Sequence, residues 1–259
     1  MSIIIKNTIF TGKFLLQLQE IDSTNNYAHN WIANNEPIDG TVIIADHQTA
    51  GRGQFGNIWK TSAGQNLTFS IIYLPKFLLA KDAFYLNMSI SLGISNGLKQ
   101  YFPALDVKIK WPNDIYIGDK KVAGILIENS ISGNYLKSSI VGIGLNVLQT
   151  EFDPKLPNPT SLLLENKSQI ELQDILNIIL VKIEQEYLVL RSGNFSAILA
   201  SYNEILFRKG ISADYMIPSI NTNNKFTGKI IGVARDGKLE IEFNDGNKKF
   251  YFKEIEYVI

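Results

Sequence analysis

The residues best suited to chemistry in this sequence lie in a glycine-rich segment near residue 50. Residues 51–56 read GRGQFG, and Arg52 is one of only four arginines in the chain. Glycines let backbone N–H groups turn toward an anion, and a guanidinium adds a planar donor pair for phosphate or carboxylate. The segment has neither the Lys-Ser/Thr ending of a P-loop nor the spacing of a dinucleotide fingerprint. It predicts an anion-binding loop of another kind, and a flexible surface connection is the alternative.

A second polar group is predicted where two short strands meet. Pro112 follows Lys110 and Trp111 and ends the strand there, so polar groups are presented at one sheet edge. A tight turn at residues 118–119 brings the chain back toward this edge. The turn gathers two lysines, an amide and a carboxylate, namely Lys110, Lys121, Asn113 and Asp114. This mixture suits an anionic ligand with a metal-bound phosphate, and a solvated hairpin is the alternative.

Two glycines at alternate positions, Gly142 and Gly144, leave one face of a predicted strand without side chains. A flat group or a second backbone can approach such a face, and close sheet packing is the alternative. His29 and His47 have no metal-ligand spacing, and the chain contains no cysteine. We therefore assign no metal-ligating residues and predict no disulfide and no nucleophilic triad.

The elements that position these residues alternate between strands and helices and end in a meander, which indicates a mixed α+β fold. The residues Asp22, Ser23 and Thr24 predict the capped start of a helix of about three turns. Further helices are predicted over 83–101, 172–191 and 195–207. Strands are predicted over 41–45, 67–74, 107–111, 114–117, 122–128 and 135–147.

The pattern changes from about residue 210 onward. Short alternating segments are predicted as strands over 226–233, 238–243 and 248–252, with Asp-Gly turns at 236–237 and 245–246. They form a small all-β module. The predicted domains are therefore 1–208 and 209–259, and acidic and basic residues nearly balance in both.

The composition excludes several classes of protein. Hydrophobic residues make up 45% of the chain and charged residues 19%, as in globular proteins. The 25 basic residues balance 25 acidic ones, which disfavours a protein that grips a nucleic-acid backbone. No signal peptide is recognisable, and no run approaches the roughly 18 apolar residues of a membrane span. We predict a cytoplasmic protein that binds neither nucleic acid nor membrane.

Five motifs, taken in order, closely resemble those of the biotin protein ligases. They are DSTN at 22–25, QTAGRG at 48–53, KWPND at 110–114, KVAGIL at 121–126 and GIGLN at 142–146. The resemblance implies a class II synthetase-like catalytic domain of the biotin/lipoate ligase type, with a mixed β-sheet and flanking helices. The C-terminal module fits the small SH3-like β-barrel of that family.

The resemblance also implies an activity. Biotin and ATP with Mg²⁺ would give biotinyl-5′-AMP and pyrophosphate, and a lysine of a biotin carboxyl carrier protein would then accept the biotin. That carrier would belong to acetyl-CoA carboxylase or a related biotin-dependent carboxylase. The activated carboxyl group stays bound without a covalent link to the enzyme, so no protein nucleophile is needed. Relatives often pair through their sheets, so a homodimer is expected on this ground alone.

The same motifs assign site residues by position. Arg52 and Lys121 are expected to be catalytic. Lys121 would meet the biotin carboxylate and the developing phosphate charge, whereas Arg52, with Gly53 and Gln54, would close over biotin and the adenylate phosphate. The residues expected to bind biotin or ATP are Ser23, Thr24, Asn25, Gln48, Arg52, Gly53, Gln54, Trp59, Lys110, Asn113, Lys121, Gly124, Gly142 and Asn146. Gln54 departs from the pattern, because many relatives have a second arginine there, and its amide contributes no charge to retention of the adenylate.

Alternatives from two classes stay open. An adenylating lipoate-protein ligase shares the fold class, although its arginine- and glycine-rich signature is missing, whereas an octanoyl transferase that uses a cysteine thioester is excluded. A non-catalytic interaction protein is the other alternative. Fewer than 25 residues precede the first motif, too few for the helix-turn-helix domain of the repressor relatives, so no operator binding or transcriptional repression is expected.

Overall fold

A seven-stranded mixed sheet forms the larger part of the computed structural model, which describes residues 3–218, 225–244 and 246–258. The strand order is β1-β2-β3-β7-β6-β5-β4, and only the β1–β2 pair is parallel. The strands are β1 (Leu15–Ile21), β2 (Thr41–Gln48), β3 (Asn66–Tyr73), β4 (Val107–Lys110), β5 (Asp114–Ile117), β6 (Lys120–Ser132) and β7 (Tyr135–Asn146).

Five helices accompany this sheet in the described residues. They are α1 (Thr24–Asn34), α2 (Phe84–Tyr101), α3 (Leu162–Asn166), α4 (Leu172–Arg191) and α5 (Phe195–Glu204). One face of the sheet joins α2 and α4 in the main core, with side chains such as Phe69, Ile125 and Ile143 almost completely buried. On the opposite face, Ala28 of α1 packs in a smaller apolar cluster with Ile43, Ile72 and Ile140, and a cavity lies on the same side of the sheet.

The C-terminal module is a five-stranded antiparallel sheet in the order β11-β10-β9-β8-β12. Its strands are β8 (Ser212–Met216), β9 (Lys225–Val233), β10 (Leu239–Phe243), β11 (Gly246–Phe250) and β12 (Glu256–Tyr257). The predicted α+β class and the separate β module are thereby confirmed. The module touches the larger part directly, since the Trp111 indole N–H donates to the Gly237 carbonyl at 2.9 Å.

Most predicted elements are present with small shifts of their ends. The helix predicted over 195–207 is too long, because α5 ends at Glu204 and the chain then pairs with β4, where the Ile109 N–H donates to the Ile205 carbonyl. The prediction omitted β1, α3, β8 and β12. Position 245 of the second Asp-Gly turn lies outside the described residues.

The N-terminal segment is held to the core by a buried carboxylate. Glu184 of α4 is 4% exposed and accepts hydrogen bonds from the backbone N–H groups of Ile9, Phe10 and Thr11 at 2.6–2.8 Å. A carboxylate that accepts several N–H bonds satisfies both its own charge and donors that would otherwise be buried unpaired. Glu184 therefore anchors the chain just before β1.

Replacing this anchor is expected to destabilise the fold. Glu184→Ala leaves three N–H donors without their acceptor, and we expect the free energy of unfolding to fall by about 3–5 kcal/mol, measured by chemical denaturation. Gln185→Ala, at an exposed position on the same helix, is the control and is expected to change stability by less than about 0.5 kcal/mol. A loss below about 1 kcal/mol in Glu184→Ala would contradict the anchoring role.

Candidate active site

The motif residues surround a cavity of about 550 Å³ on the α1 side of the large sheet. The start of α1, the glycine-rich loop, β4 to β7 and the end of the C-terminal module all contribute to its wall. Of the predicted ligand-binding residues, those that line the cavity are Ser23, Thr24, Asn25, Gln48, Arg52, Gly53, Gln54, Trp59, Lys110, Asn113, Lys121, Gly124 and Gly142. Residues more than 100 positions apart in the sequence thus meet in one site.

The floor of the cavity is formed by cross-strand partners that share one face of the sheet. Pairing runs from Lys110 to Asp114, then to Gly124, Gly144 and Thr68, across β4, β5, β6, β7 and β3. Directly paired residues point to the same side of a sheet. The row therefore has a basic end at Lys110 and a hydroxyl end at Thr68, and the glycines between them leave part of the floor without side chains.

A network of buried hydroxyl and amide groups occupies the end of the cavity nearest α1. The Gln48 side-chain carbonyl accepts from the Thr24 backbone N–H at 2.7 Å and from the Thr24 hydroxyl at 3.0 Å. The Ser70 hydroxyl lies 2.7 Å from both the Thr24 hydroxyl and the Asn25 side-chain oxygen. Ser23 precedes α1, but its side chain does not cap the helix. This end offers both donors and acceptors on rigid elements.

Two lysines and a carboxylate form the basic end. The 118–119 turn is confirmed, since Ile117 pairs with Lys120, and the Lys121 ammonium lies 2.7 Å from an Asp114 carboxylate oxygen. The Lys110 ammonium donates to the Tyr116 hydroxyl at 3.1 Å. Burial lowers the pKa of Lys110, and attraction to Asp114 opposes that shift. The predicted gathering of Lys110, Lys121, Asn113 and Asp114 is therefore present.

The Trp59 indole covers the side-chain-free part of the floor. A Cβ added at Gly144 would overlap the indole, and one added at Gly124 would lie 3.2 Å from it. A Cβ at Gly142 would instead overlap the Asn25 amide. The expectation that Gly124 and Gly142 leave room for a ligand is thus refined: their nearest neighbours are the side chains of Trp59, Lys121 and Asn25.

The glycine-rich loop folds back on itself over the cavity. The Gly53 N–H donates to the Asn57 carbonyl at 2.7 Å, and the Trp59 N–H donates to the Gly51 carbonyl at 2.9 Å. The segment is thus a small hairpin with defined hydrogen bonds and not the flexible surface connection that was the alternative to an anion-binding loop. The guanidinium of Arg52 pairs with the Glu128 carboxylate at 2.8 Å.

Two buried polar atoms at the loop have no hydrogen-bond partner among the described residues. They are the Gln54 side-chain oxygen and the Trp59 indole nitrogen. Buried polar atoms in folded proteins are nearly always paired, so each of these exceptions needs an explanation. Both residues line the cavity, and a bound ligand can supply the missing partners.

The C-terminal module contributes to the site, which the sequence motifs did not indicate. Phe252, Ile255 and Tyr257 line the cavity. Phe252 also stacks on Phe55 of the loop with 4.9 Å between ring centroids, and the Lys253 ammonium lies 3.9 Å from the centre of the Phe55 ring. Such contacts depend on how the module docks, and no local sequence pattern predicts them.

Asn146 is the one predicted site residue that does not line the cavity. Its side-chain amide is buried and donates to the Thr160 carbonyl at 2.9 Å, so it fixes the chain after β7. Seven residues of the quoted motifs line the cavity although they were not predicted as ligand-binding residues: Trp111, Pro112, Asp114, Ile125, Leu126, Ile143 and Gly144.

The described residues contain no group of three or more acidic or histidine side chains placed to hold a metal ion. Two carboxylates, Asp114 and Glu256, line the cavity. Mg²⁺ is commonly bound by one or two carboxylates together with substrate phosphates. The donor set therefore fits a magnesium ion that enters with a nucleotide.

None of the described helices is long and apolar enough to cross a membrane.

Comparisons with known proteins indicate the family of this chain. Residues 18–146 match the model of the biotin/lipoate A/B protein ligase family. The chain is 32% identical over 248 residues to the bifunctional ligase/repressor BirA of Bacillus subtilis, covering 95% of this chain and 74% of that protein. It is 27% identical over 214 residues to the biotin–[acetyl-CoA-carboxylase] ligase of Mycobacterium tuberculosis, covering 79% of this chain and 72% of that one.

Among solved structures, the biotin protein ligase from Aquifex aeolicus in complex with biotin and ATP superposes with a TM-score of 0.79. The two are 27% identical, and the match covers 95% of this chain and 100% of the other. On this fold, this site and these relatives, the chain belongs to the biotin/lipoate A/B protein ligase family.

The contact between Gly144 and Trp59 makes a test of the cavity floor. In Gly144→Ala, the new methyl group overlaps the indole, and we expect a loss of about 1–3 kcal/mol in the free energy of unfolding, measured by denaturation. In a Trp59→Ala background the same substitution is expected to cost less than about 0.5 kcal/mol. Equal costs in the two backgrounds would show that Trp59 does not lie on Gly144.

Proposed function

We propose that this protein is an ATP-dependent ligase that joins biotin to a lysine of a biotin carboxyl carrier protein through biotinyl-5′-AMP. The observation that carries the proposal is the polarity of the cavity. Neutral hydroxyl and amide groups lie on α1 and β3, and the lysines lie on β4 and β6. Four strand spacings of about 4.8 Å separate β3 from β4, roughly 19 Å in all, which suits a ligand with a neutral head and an anionic end.

The neutral end is assigned to the fused ring of biotin. Its ureido group has two N–H donors and one carbonyl acceptor, and Thr24, Asn25, Gln48 and Ser23 supply matching hydroxyl and amide groups. Because the first three already hydrogen-bond to one another or to Ser70, their orientation is set before a ligand arrives. Such preorganisation lowers the entropy cost of binding.

The basic end is assigned to the reacting groups. A biotin carboxylate oxygen attacks the α-phosphorus of ATP, the bond to the β-phosphate oxygen breaks, and pyrophosphate leaves. Lys121 and Lys110 place positive charge where negative charge accumulates on the phosphate, and this preorganised electrostatic stabilisation is commonly the largest contribution to catalysis. Asp114 fixes the Lys121 ammonium at 2.7 Å and so orients it.

Transfer of biotin from the adenylate to the carrier needs no nucleophile from this chain. A neutral lysine amine of the carrier attacks the acyl carbon of the mixed anhydride, AMP leaves with the bonding electrons, and the amine loses a proton. The enzyme holds the adenylate and the amine together, which converts a bimolecular reaction into one within a complex. Mg²⁺, when it enters with ATP, neutralises phosphate charge.

The roles of the individual site residues are part of the proposal and rest on their positions and contacts. The domain division at residues 1–208 and 209–259, the cytoplasmic location and a homodimer stay predictions from the sequence.

The central experiment is transfer of labelled biotin to a purified carrier domain, with and without MgATP. We expect labelled carrier and pyrophosphate only when biotin and MgATP are both present. Lipoate replaces biotin in a parallel reaction, because the family includes lipoate ligases. Turnover with lipoate alone would favour the lipoate ligase alternative, and failure to form any adenylate would refute an adenylating ligase.

Two adjacent lysines provide a matched test of the basic end. Lys121→Ala removes the ammonium beside Asp114, and we expect the rate of adenylate formation, followed by pyrophosphate release, to fall about 100-fold or more. Lys120→Ala is the control, because Lys120 is 57% exposed and pairs with Glu165 outside the cavity. An unchanged rate in Lys121→Ala would show that this ammonium does not act in adenylate formation.

A further inference from the structure

Glu128 lies near the outer end of β6 and is not part of any motif that assigned site residues. One of its carboxylate oxygens lies 2.8 Å from Arg52 Nη2, and the other lies 3.3 Å from Arg52 Nη1. The guanidinium is therefore held at two points, a geometry that fixes direction as well as distance. The Glu128 side chain is 23% exposed and that of Arg52 41% exposed.

The same carboxylate also contacts the neutral end of the cavity. The Asn25 amide nitrogen donates to Glu128 at 2.7 Å, while the Asn25 oxygen accepts from the Ser70 hydroxyl. Glu128, together with the Leu126 carbonyl that accepts from the same nitrogen at 3.4 Å, thus sets which way the Asn25 amide faces, because an ionised carboxylate can only accept. One side chain orients both a residue of the proposed biotin pocket and the arginine of the glycine-rich loop.

The other polar groups around this carboxylate reinforce the arrangement. Arg52 Nη1 donates to the Asn26 side-chain oxygen at 2.9 Å, and Asn26 donates to Asp22 at 2.6 Å. The His29 ring nitrogen lies 3.4 Å from Glu128. Burial opposes ionisation of Glu128, but the hydrogen bonds from Asn25 and Arg52 outweigh it and hold the pKa of the carboxyl group below its usual value.

We propose that Glu128 is a positioning residue for the ligase reaction: its carboxylate ties Arg52 of the glycine-rich loop to Asn25 at the cavity floor, and this keeps the loop where it retains the acyl adenylate. The proposal rests on the proposed function. Glu128 does not line the cavity described above and touches no reacting atom, so it acts through Arg52 and Asn25. A closed loop slows escape of a reactive intermediate into water.

The first part of the test needs no ligand. Hydrogen exchange of the backbone amides of residues 51–59 is compared in the wild-type chain, Glu128→Gln and Glu20→Gln. Glu20 is the matched control, because it is an exposed carboxylate paired with a histidine, His47, and has no contact with the loop. We expect exchange about five- to tenfold faster in Glu128→Gln and unchanged in Glu20→Gln.

The second part measures retention of the intermediate. Adenylate is formed from biotin and MgATP, the complex is separated from free ligand, and release of biotinyl-5′-AMP is followed. In Glu128→Gln we expect release about tenfold faster and a biotin KM several-fold higher, with kcat for adenylate formation within about threefold. Arg52→Gln is expected to speed release by a similar factor. In the double variant Glu128→Gln/Arg52→Gln, we expect release to be no faster than in the faster of the two single variants.

The outcomes separate the two proposals. The role of Glu128 would be overturned if Glu128→Gln and Glu20→Gln had the same hydrogen-exchange rates in the loop and the same rate of adenylate release. The proposed ligase activity would be unaffected by that result. Multiplicative effects in the double variant would also overturn it, since the two residues would then act independently. A wild-type chain that forms no adenylate would overturn the proposed function and the role in retention together.

Glu128→Asp keeps the charge and is used if Glu128→Gln does not fold. In this variant we expect the rate of adenylate release to lie between those of the wild type and Arg52→Gln.

Discussion

The pairing of β6 with β7 determines which residues form the floor of the cavity. Gly124 faces Gly144 and Leu126 faces Gly142 across this ladder, so the open floor extends over two strands. A slip of one residue would turn these glycines to the other face and place isoleucines beneath the cavity. The apolar residues between them, such as Ile125 and Ile143, are buried against the helices α2 and α4, and this burial opposes such a slip.

The open floor explains how a bulky aromatic residue and a polar amide both reach the sheet. Trp59 occupies the space that side chains at 124 and 144 would fill, and Asn25 occupies that at 142. The ends of the glycine-rich loop are thereby fixed to the floor, while its tip contacts Phe252 of the C-terminal module and its arginine pairs with Glu128. The loop is held from three directions, each by a different part of the chain.

The electrostatic arrangement is local, although the net charge of the whole chain is zero. Lys110 and Lys121 both lie near Asp114, so the lysine ammonium groups of the cavity are concentrated at the basic end. Arg52 is neutralised by Glu128 at the opposite side, which leaves the neutral end suited to hydrogen bonding. A balanced composition is thus compatible with an anion site confined to one end of a cavity.

The sequence by itself determined the local features. Turn residues and hydrophobic periodicity act over a few positions. They were therefore sufficient to predict the 118–119 turn, the long helices and the approach of Lys121 to Asp114. The ligand-binding residues were predicted by family resemblance, and all of them except Asn146 line the cavity. Only the tertiary structure decided the pairs that are distant along the chain. Glu128 meets Arg52 across 76 positions, and Phe252 reaches Phe55 from a separate sheet. These contacts depend on the packing of whole elements, which no short segment encodes.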